Sequence, residues 1–251
     1  MARIDMNNQR ANDIERFYSL MGDLAQRTGG AARLGALNRS TPLPDRGVYF
    51  FFEPGEDRAR LPGQGRVVRI GTHALKSGGK TTLRNRLSNH RGSLTGSGNH
   101  RGSIFRLLIG QALVARGDLD ACPSWGCKGE AKFAAMELGL PRERLKALEM
   151  PVEAAVSTYL GNMSYLVVDI PDEPGPTSAR GLIERNSIAL LTHWQRDAIS
   201  PPSASWLGLH SNRSKVSRSG LWNQNHVEED YNPHFLDVLE QLAGRMKRDN
   251  D

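Results

Sequence analysis

Two side chains four positions apart, Arg86 and His90, fall in a stretch that reads as a helix over residues 81–90, so they share one of its faces. A guanidinium fork matches two phosphate oxygens at once. An imidazole beside it donates a hydrogen bond or moves a proton near neutral pH. Arg-x-x-x-His on an exposed helix usually means nothing by itself, and its weight here comes from what precedes it. Two short apolar strands, Gly-Val-Tyr-Phe-Phe-Phe at 47–52 and Arg-Val-Val-Arg-Ile-Gly at 66–71, flank a turn-rich connector. They set Tyr49 close to the pair. A tyrosine, an arginine and a histidine on one strand–strand–helix unit suit the holding of a phosphate and the activation of a water.

The charge pattern agrees with an anionic partner. The chain has 251 residues and a net charge of +6. From Arg58 to Gly117 it contains no Asp or Glu, while twelve basic residues fall there: Arg58, Arg60, Arg66, Arg69, Lys76, Lys80, Arg84, Arg86, Arg91, Arg101, Arg106 and Arg116. With +12 in that window and +6 overall, the remainder carries −6. A solvated face normally mixes signs, so excluding acids from sixty residues argues for a polyanion, and nucleic acid is the expected partner. Apolar content of 38% and charged content of 24% suit a soluble chain able to bury a core. No apolar run reaches the roughly 18 residues needed to cross a bilayer. The first residues lack the apolar core of a secretory signal, so no membrane association and a cytoplasmic location are expected. Cys122 and Cys127, in Cys-Pro-Ser-Trp-Gly-Cys, read as ordinary thiols, because no second Cys/His pair completes a zinc set.

The elements that position these side chains follow from periodicity. Ile14, Phe17, Leu20, Met21 and Leu24 recur at helical spacing and end before Gly29-Gly30. Residues 31–46 read as a loop, and residues 47–53 and 66–71 as a hairpin whose connector contains Pro54, Gly55, Pro62 and Gly63. The Gly/Ser-rich run at 92–102 reads as a linker, with substrate contact through Asn99-His100-Arg101-Gly102 as the other possibility. Residues 103–116 are helical, residues 129–148 are a charged helical stretch, and Pro151 opens a short helix to Leu160. Residues 163–170 form a third strand, Ser178 caps a helix to about Trp194, and residues 233–247 close the chain as an amphipathic helix. Trp206 and Trp222 read first as core side chains and second as stacking platforms for bases. The fold class is therefore α/β (α+β), with a small, mostly antiparallel three-stranded sheet flanked by helices. The expected organisation is a helical extension at 1–40, a central domain at 41–199 with an insertion at about 113–150, and a completing segment at 200–251.

Gly-Val-Tyr at 47–49, Arg-Ile-Gly-Thr at 69–72 and Leu-Arg-Asn-Arg-Leu-Ser-Asn-His at 83–90 resemble the GIY-YIG nuclease family. In that family two adjacent strands carry Gly-Ile-Tyr and Tyr-Ile-Gly signatures, and the next helix supplies an arginine and a histidine. The resemblance implies that Tyr49 is the general base, Arg86 stabilises the transition state, and His90 orients the water or Tyr49. A later glutamate of the family holds a single divalent metal. Gly-Leu-Ile-Glu-Arg-Asn at 181–186 assigns that role to Glu184, with Mg²⁺ or Mn²⁺ as cofactor; the bland alternative is a first-turn carboxylate favoured by the helix dipole. For a family asparagine that follows, Gly-Leu-Trp-Asn-Gln-Asn-His at 220–226 supplies two candidates, Asn223 and Asn225, and Asn223 is preferred because it closes a Gly-aromatic-Asn run. Lys76, Lys80, Arg84, Arg91 and Arg101 are the expected nucleic-acid contacts, and DNA the expected substrate.

The chain departs from the family pattern at Arg69, which replaces the second signature tyrosine, and in the long segment between His90 and Glu184. Either Arg69 contacts the scissile phosphate in a working endonuclease, or it marks a nucleic-acid-binding protein that keeps the fold without the chemistry. A phenol serves as a base near neutral pH only with cations beside it, which would give Arg69 a purpose. An enzyme acting on another anion, such as a nucleotide, is the third possibility.

Overall fold

A computed structural model describes residues 2–59, 61–93, 95–127 and 129–246, with side chains from residue 8 onward. At its centre, strand β2 (Gly47–Arg58) pairs antiparallel with β3 (Leu61–Gly71) on one side and with β4 (Ser164–Asp169) on the other. The two-residue strand β1 (Ala32–Arg33) pairs antiparallel with β4, giving four strands in the order β1-β4-β2-β3. The expected three-stranded sheet thus gains an edge strand from the 31–46 loop. Two exposed residues are too short to show a period of 2, and what anchors them follows them: Leu34 is buried and its N–H donates to the Met163 carbonyl.

Alternation along β2 divides the molecule into two cores. Tyr49 and Phe51 face one side, with Leu83 and Leu87 of α2 (Leu83–Arg91), Phe105 and Leu108 of α3 (Ile104–Arg116), and Val156 and Leu160 of α5 (Arg142–Asn162). Val48 and Phe50 face the other, with Phe17 and Leu24 of α1 (Ala2–Arg27), Ile183 and Leu190 of α6 (Ala179–Leu191), and Leu236 and Leu239 of α8 (Phe235–Gly244). Both faces of the sheet are therefore covered, which explains the unbroken apolar run at 48–52. On β3 the register places Arg69 opposite Phe51 but Val67 opposite Phe52, so one residue is extra. This bulge turns Val68 and Arg69 toward the same side: Val68 enters the first core, and the Arg69 guanidinium lies 4.6 Å over the Phe105 ring.

Three sequence expectations are corrected. The hairpin connector is itself ladder, with Asp57 opposite Gly65 and Arg58 opposite Leu61. Pro54 is tolerated because it falls within a register shift, beyond the last β2–β4 pair at Phe52–Ser164. Pro151 does not open a helix but lies inside the 21-residue α5. It sits on the exposed side while Leu145, Val152, Val156 and Leu160 bury one continuous face. Leu145 also packs on Ala134 and Ala135 of α4 (Ala131–Glu137), a small third core. The Gly-rich run after His90 is not a free linker. Arg106, fully buried, donates to the carbonyls of His90 and Arg91, and a Cβ at Gly98 would come within 2.1 Å of its guanidinium.

Trp206 and Trp222 are core residues. Both indole N–H groups donate to the Glu53 carboxylate at 3.1 Å. Beyond the short helix α7 (Ser214–Ser219), the chain runs along β3: Trp222 N–H donates to the Val68 carbonyl and Arg66 to that of Gly220. Among the described residues, no helix is long and apolar enough to cross a membrane.

Candidate active site

Both signature glycines have a steric reason to be there. A Cβ at Gly47 would lie 2.4 Å from the Val168 carbonyl oxygen, so β2 and β4 could not pair as closely. A Cβ at Gly71 would lie 2.2 Å from the Tyr49 hydroxyl, because the phenol folds across the end of β3. From there Tyr49 Oη reaches His90 Nε2 at 2.9 Å, and His90 Nδ1 meets Ser103 Oγ at 2.8 Å. All three residues are buried. Thr82 caps α2 through the N–H of Asn85, Leu83 and Leu87 anchor the helix in the core, and His90 follows in its last turn. Burial holds the His90 imidazole well below its ordinary pKa, and the charges of Arg86, Arg69 and Arg106 act the same way.

Arg69 and Arg86 line a cleft of about 160 Å³ beside this chain of contacts, together with Glu184, Ile104, Trp222, Asn223 and His226. Arg69 Nη1 donates to the Trp222 carbonyl at 2.5 Å, while its Nε has no protein partner. Burial lowers the pKa of this guanidinium, the charges of Tyr49 and Glu184 oppose that shift, and the charge of Arg86 adds to it. Arg86 is half-buried in the wall of the cleft, and its Nε also lacks a protein partner. Asn223 clamps β3 from the side: its Oδ1 accepts from Ile70 N–H at 3.1 Å and its Nδ2 donates to the Ile70 carbonyl at 2.8 Å. Both ends of that amide are engaged, so Asn223 holds the cleft wall in place.

Glu184 is the one carboxylate among the described residues lining the cleft. It is the sixth residue of α6, past the first turn, so the helix-dipole explanation of a carboxylate at this point fails. Ile183 beside it enters the second core, which turns Glu184 toward the end of β3, where Thr72 N–H donates to Oε1 at 3.2 Å. Burial raises the Glu184 pKa, while Arg69, His226 and the Thr72 N–H act against the rise. The start of α6 is held by Asp172, which accepts from Ser178 and from buried Arg180; Arg180 in turn donates to the His73 carbonyl. His226 holds a left-handed backbone (φ 64°) at the cleft rim and pairs with Glu229. Among the described residues, no group of three or more His, Cys, Asp or Glu could hold a metal ion.

The structure revises the meaning of the acid-free window. Arg60 lies outside the described residues. Eight of the other basic residues are tied within the protein, several of them to acids from outside the window that fold back onto it. Arg58 pairs with Glu15, Arg66 with Glu56, Arg101 with Glu149, Arg106 with Glu153 and Arg116 with Asp118. Arg69, Arg84 and Arg91 bond backbone carbonyls. Of the five expected nucleic-acid contacts, Arg84, Arg91 and Arg101 are thus structural ties, whereas Lys76 and Lys80 are exposed on the loop before α2. Ser103, Thr72 and His226 belong to the site and were not singled out from sequence. Only Ser103 carried a signal, as the residue opening an apolar helix.

Residues 8–249 match the family model described as the GIY-YIG domain. No curated protein and no solved structure matches the chain. Because the match spans nearly all of it, the chain belongs to the GIY-YIG family, whose nuclease-type domain implies a nucleic-acid substrate.

Proposed function

We propose that this chain is a metal-dependent endonuclease that hydrolyses phosphodiester bonds in DNA. The observation that carries it is one cleft lined by Arg69, Arg86 and Glu184, from one strand and two helices, with the buried Tyr49–His90 pair lying behind Arg69. Acting as the phenolate, Tyr49 takes the proton of the attacking water and becomes the neutral phenol, with His90 and Arg69 beside it. Arg86 presents its guanidinium to the phosphate, where planar donors meet the charge that grows on the equatorial oxygens. Arg69 adds a second positive group on the same wall, so replacing the second signature tyrosine supplies charge in place of a hydroxyl.

The residues fit a single hard divalent cation. One Glu184 oxygen accepts from Thr72 N–H, and a lone carboxylate suits Mg²⁺ or Mn²⁺, which keeps several waters and takes its other ligands from substrate phosphate. Held there, the ion supplies Lewis-acid neutralisation of charge on the phosphate oxygens.

A nucleic-acid-binding protein without chemistry would need neither an arginine fork free inside the cleft nor a carboxylate beside it. The two are separated by incubating supercoiled plasmid with the protein and Mn²⁺, with and without chelator. Nicking that the chelator abolishes is expected. Binding without nicking, on duplex, branched and single-stranded DNA alike, would establish the binding-only protein instead.

A further inference from the structure

We propose that His226 is a second protein ligand for the divalent ion at Glu184, its Nε2 joining the carboxylate in the same cleft. This rests on the metal role given to Glu184 and adds a nitrogen donor to it.

The placement follows from the course of residues 222–226. Trp222 N–H donates to the Val68 carbonyl, and Asn223 bonds both backbone groups of Ile70, so this segment tracks β3 toward its end. Thr72, the first residue after β3, is where Glu184 accepts its hydrogen bond. His226 arrives at that end and lines the cleft together with Glu184. A second tie comes from the other side. Arg185, the neighbour of Glu184 on α6, pairs with Glu229, three residues beyond His226. Burial raises the Glu184 carboxyl, and after Arg69 the charge of His226 is the strongest influence against that rise.

One nitrogen of the ring is committed and the other is free. Nδ1 lies 2.9 Å from Glu229 Oε1, while Oε2 of that carboxylate accepts from Arg185 Nε. Burial pushes the Glu229 carboxyl up, but the hydrogen bonds from His226 and Arg185 outweigh it and hold the group below its ordinary value. An ionised carboxylate offers only lone pairs, so the proton between the two belongs to Nδ1. In the neutral ring Nε2 then carries the lone pair, and no protein group among the described residues bonds it. Metal-bound imidazoles are held in this way, with the second ring N–H donated to a carboxylate. The backbone does not call for histidine here. Its φ of 64° is one that glycine and asparagine take more readily.

The consequence is metal selectivity. Mg²⁺ is bound through oxygen, whereas an imidazole suits the transition ions. A Glu–His pair therefore favours Mn²⁺ and Co²⁺ over Mg²⁺.

The test is electron spin-echo modulation of Mn²⁺ on the full chain without DNA, with Mn²⁺ and Mg²⁺ affinities titrated in parallel and the site identified by its loss in Glu184→Ala. The wild type is expected to show the ¹⁴N modulation of a coordinated imidazole. Glu229→Ala leaves the ring unheld and is expected to weaken Mn²⁺ binding roughly 10–100-fold. His226→Gly suits the left-handed backbone, so it should keep the circular dichroism of the wild type. It is expected to abolish the modulation, to weaken Mn²⁺ at least as much as Glu229→Ala does, and to change Mg²⁺ affinity less. Mn²⁺ held at Glu184 without nitrogen modulation, or modulation and affinity unchanged in His226→Gly, would overturn the ligand while leaving the Glu184 site in place. A wild type with no Mn²⁺ site that Glu184→Ala removes would overturn both. Modulation that depends on His226 in a protein that never nicks plasmid would leave the ligand standing and remove the endonuclease.

Discussion

Arg69 stands where the family pattern carries its second signature tyrosine, and the bulge at Val68 decides where its guanidinium goes. Without the extra residue, alternation from Ile70 and Val67 in the second core would not bring both Val68 and Arg69 to the cleft side. The side chain has two duties that a substitution separates. One arm satisfies the buried Trp222 carbonyl, and the charge faces Tyr49 and Glu184. Arg69→Met is therefore expected to lower stability by about 1–3 kcal/mol through the orphaned carbonyl, read as a shift of the urea midpoint. It is also expected to slow nicking beyond what the stability loss explains. Unchanged nicking by folded Arg69→Met would confine Arg69 to a structural role.

At the scale of elements, the cleft depends on close approaches. Gly71 gives way to the Tyr49 phenol, so Gly71→Ala must push the phenol off His90 Nε2 or open β2 from β3. Nicking is expected to drop at least tenfold, with the fold retained by circular dichroism; full activity would show that the phenol needs no such seat. The hairpin, the Arg86–His90 helix and the caps at Thr82 and Ser178 were legible in the sequence because each is a local pattern with a local cause. The bulge, the edge strand and the course of α5 through Pro151 were not, since each is decided by a partner distant in the chain. Tyr49, Arg86, His90 and Glu184 could be named from motif spacing, and the structure brings them together. Asn223 was found by the same route, but as a clamp on Ile70 rather than a free side chain. Thr72 meets Glu184 and Ser103 meets His90 through a single hydrogen bond each, and no spacing announces such a bond.

At the scale of the whole molecule, charge that seemed to form one basic surface is largely internal wiring. Lys76 and Lys80 remain exposed on the loop leading to Arg86. Replacing both with alanine is expected to reduce the slope of log K against log salt for DNA binding by about 2, whereas an unchanged slope would place the polymer on another face. Burial also makes stability depend on pH. His73 and His193 are lowered to about 4, by desolvation first and then by Arg180 and Arg10 respectively. The unfolded chain takes up these protons near pH 6.5, so it binds more protons than the folded chain between about 6.5 and 4. Stability is full above that window and falls as pH drops through it. Urea midpoints measured at several pH values should decline there, and less steeply in His193→Gln. The central claim, that one cleft joins a tyrosine base to a metal-holding glutamate, is met most directly by a single comparison. Wild type, Tyr49→Phe and Glu184→Ala are incubated with plasmid and Mn²⁺ while DNA binding is measured in parallel. Nicking by the wild type alone, with binding kept by all three, is the predicted result; full nicking by purified Glu184→Ala would contradict it.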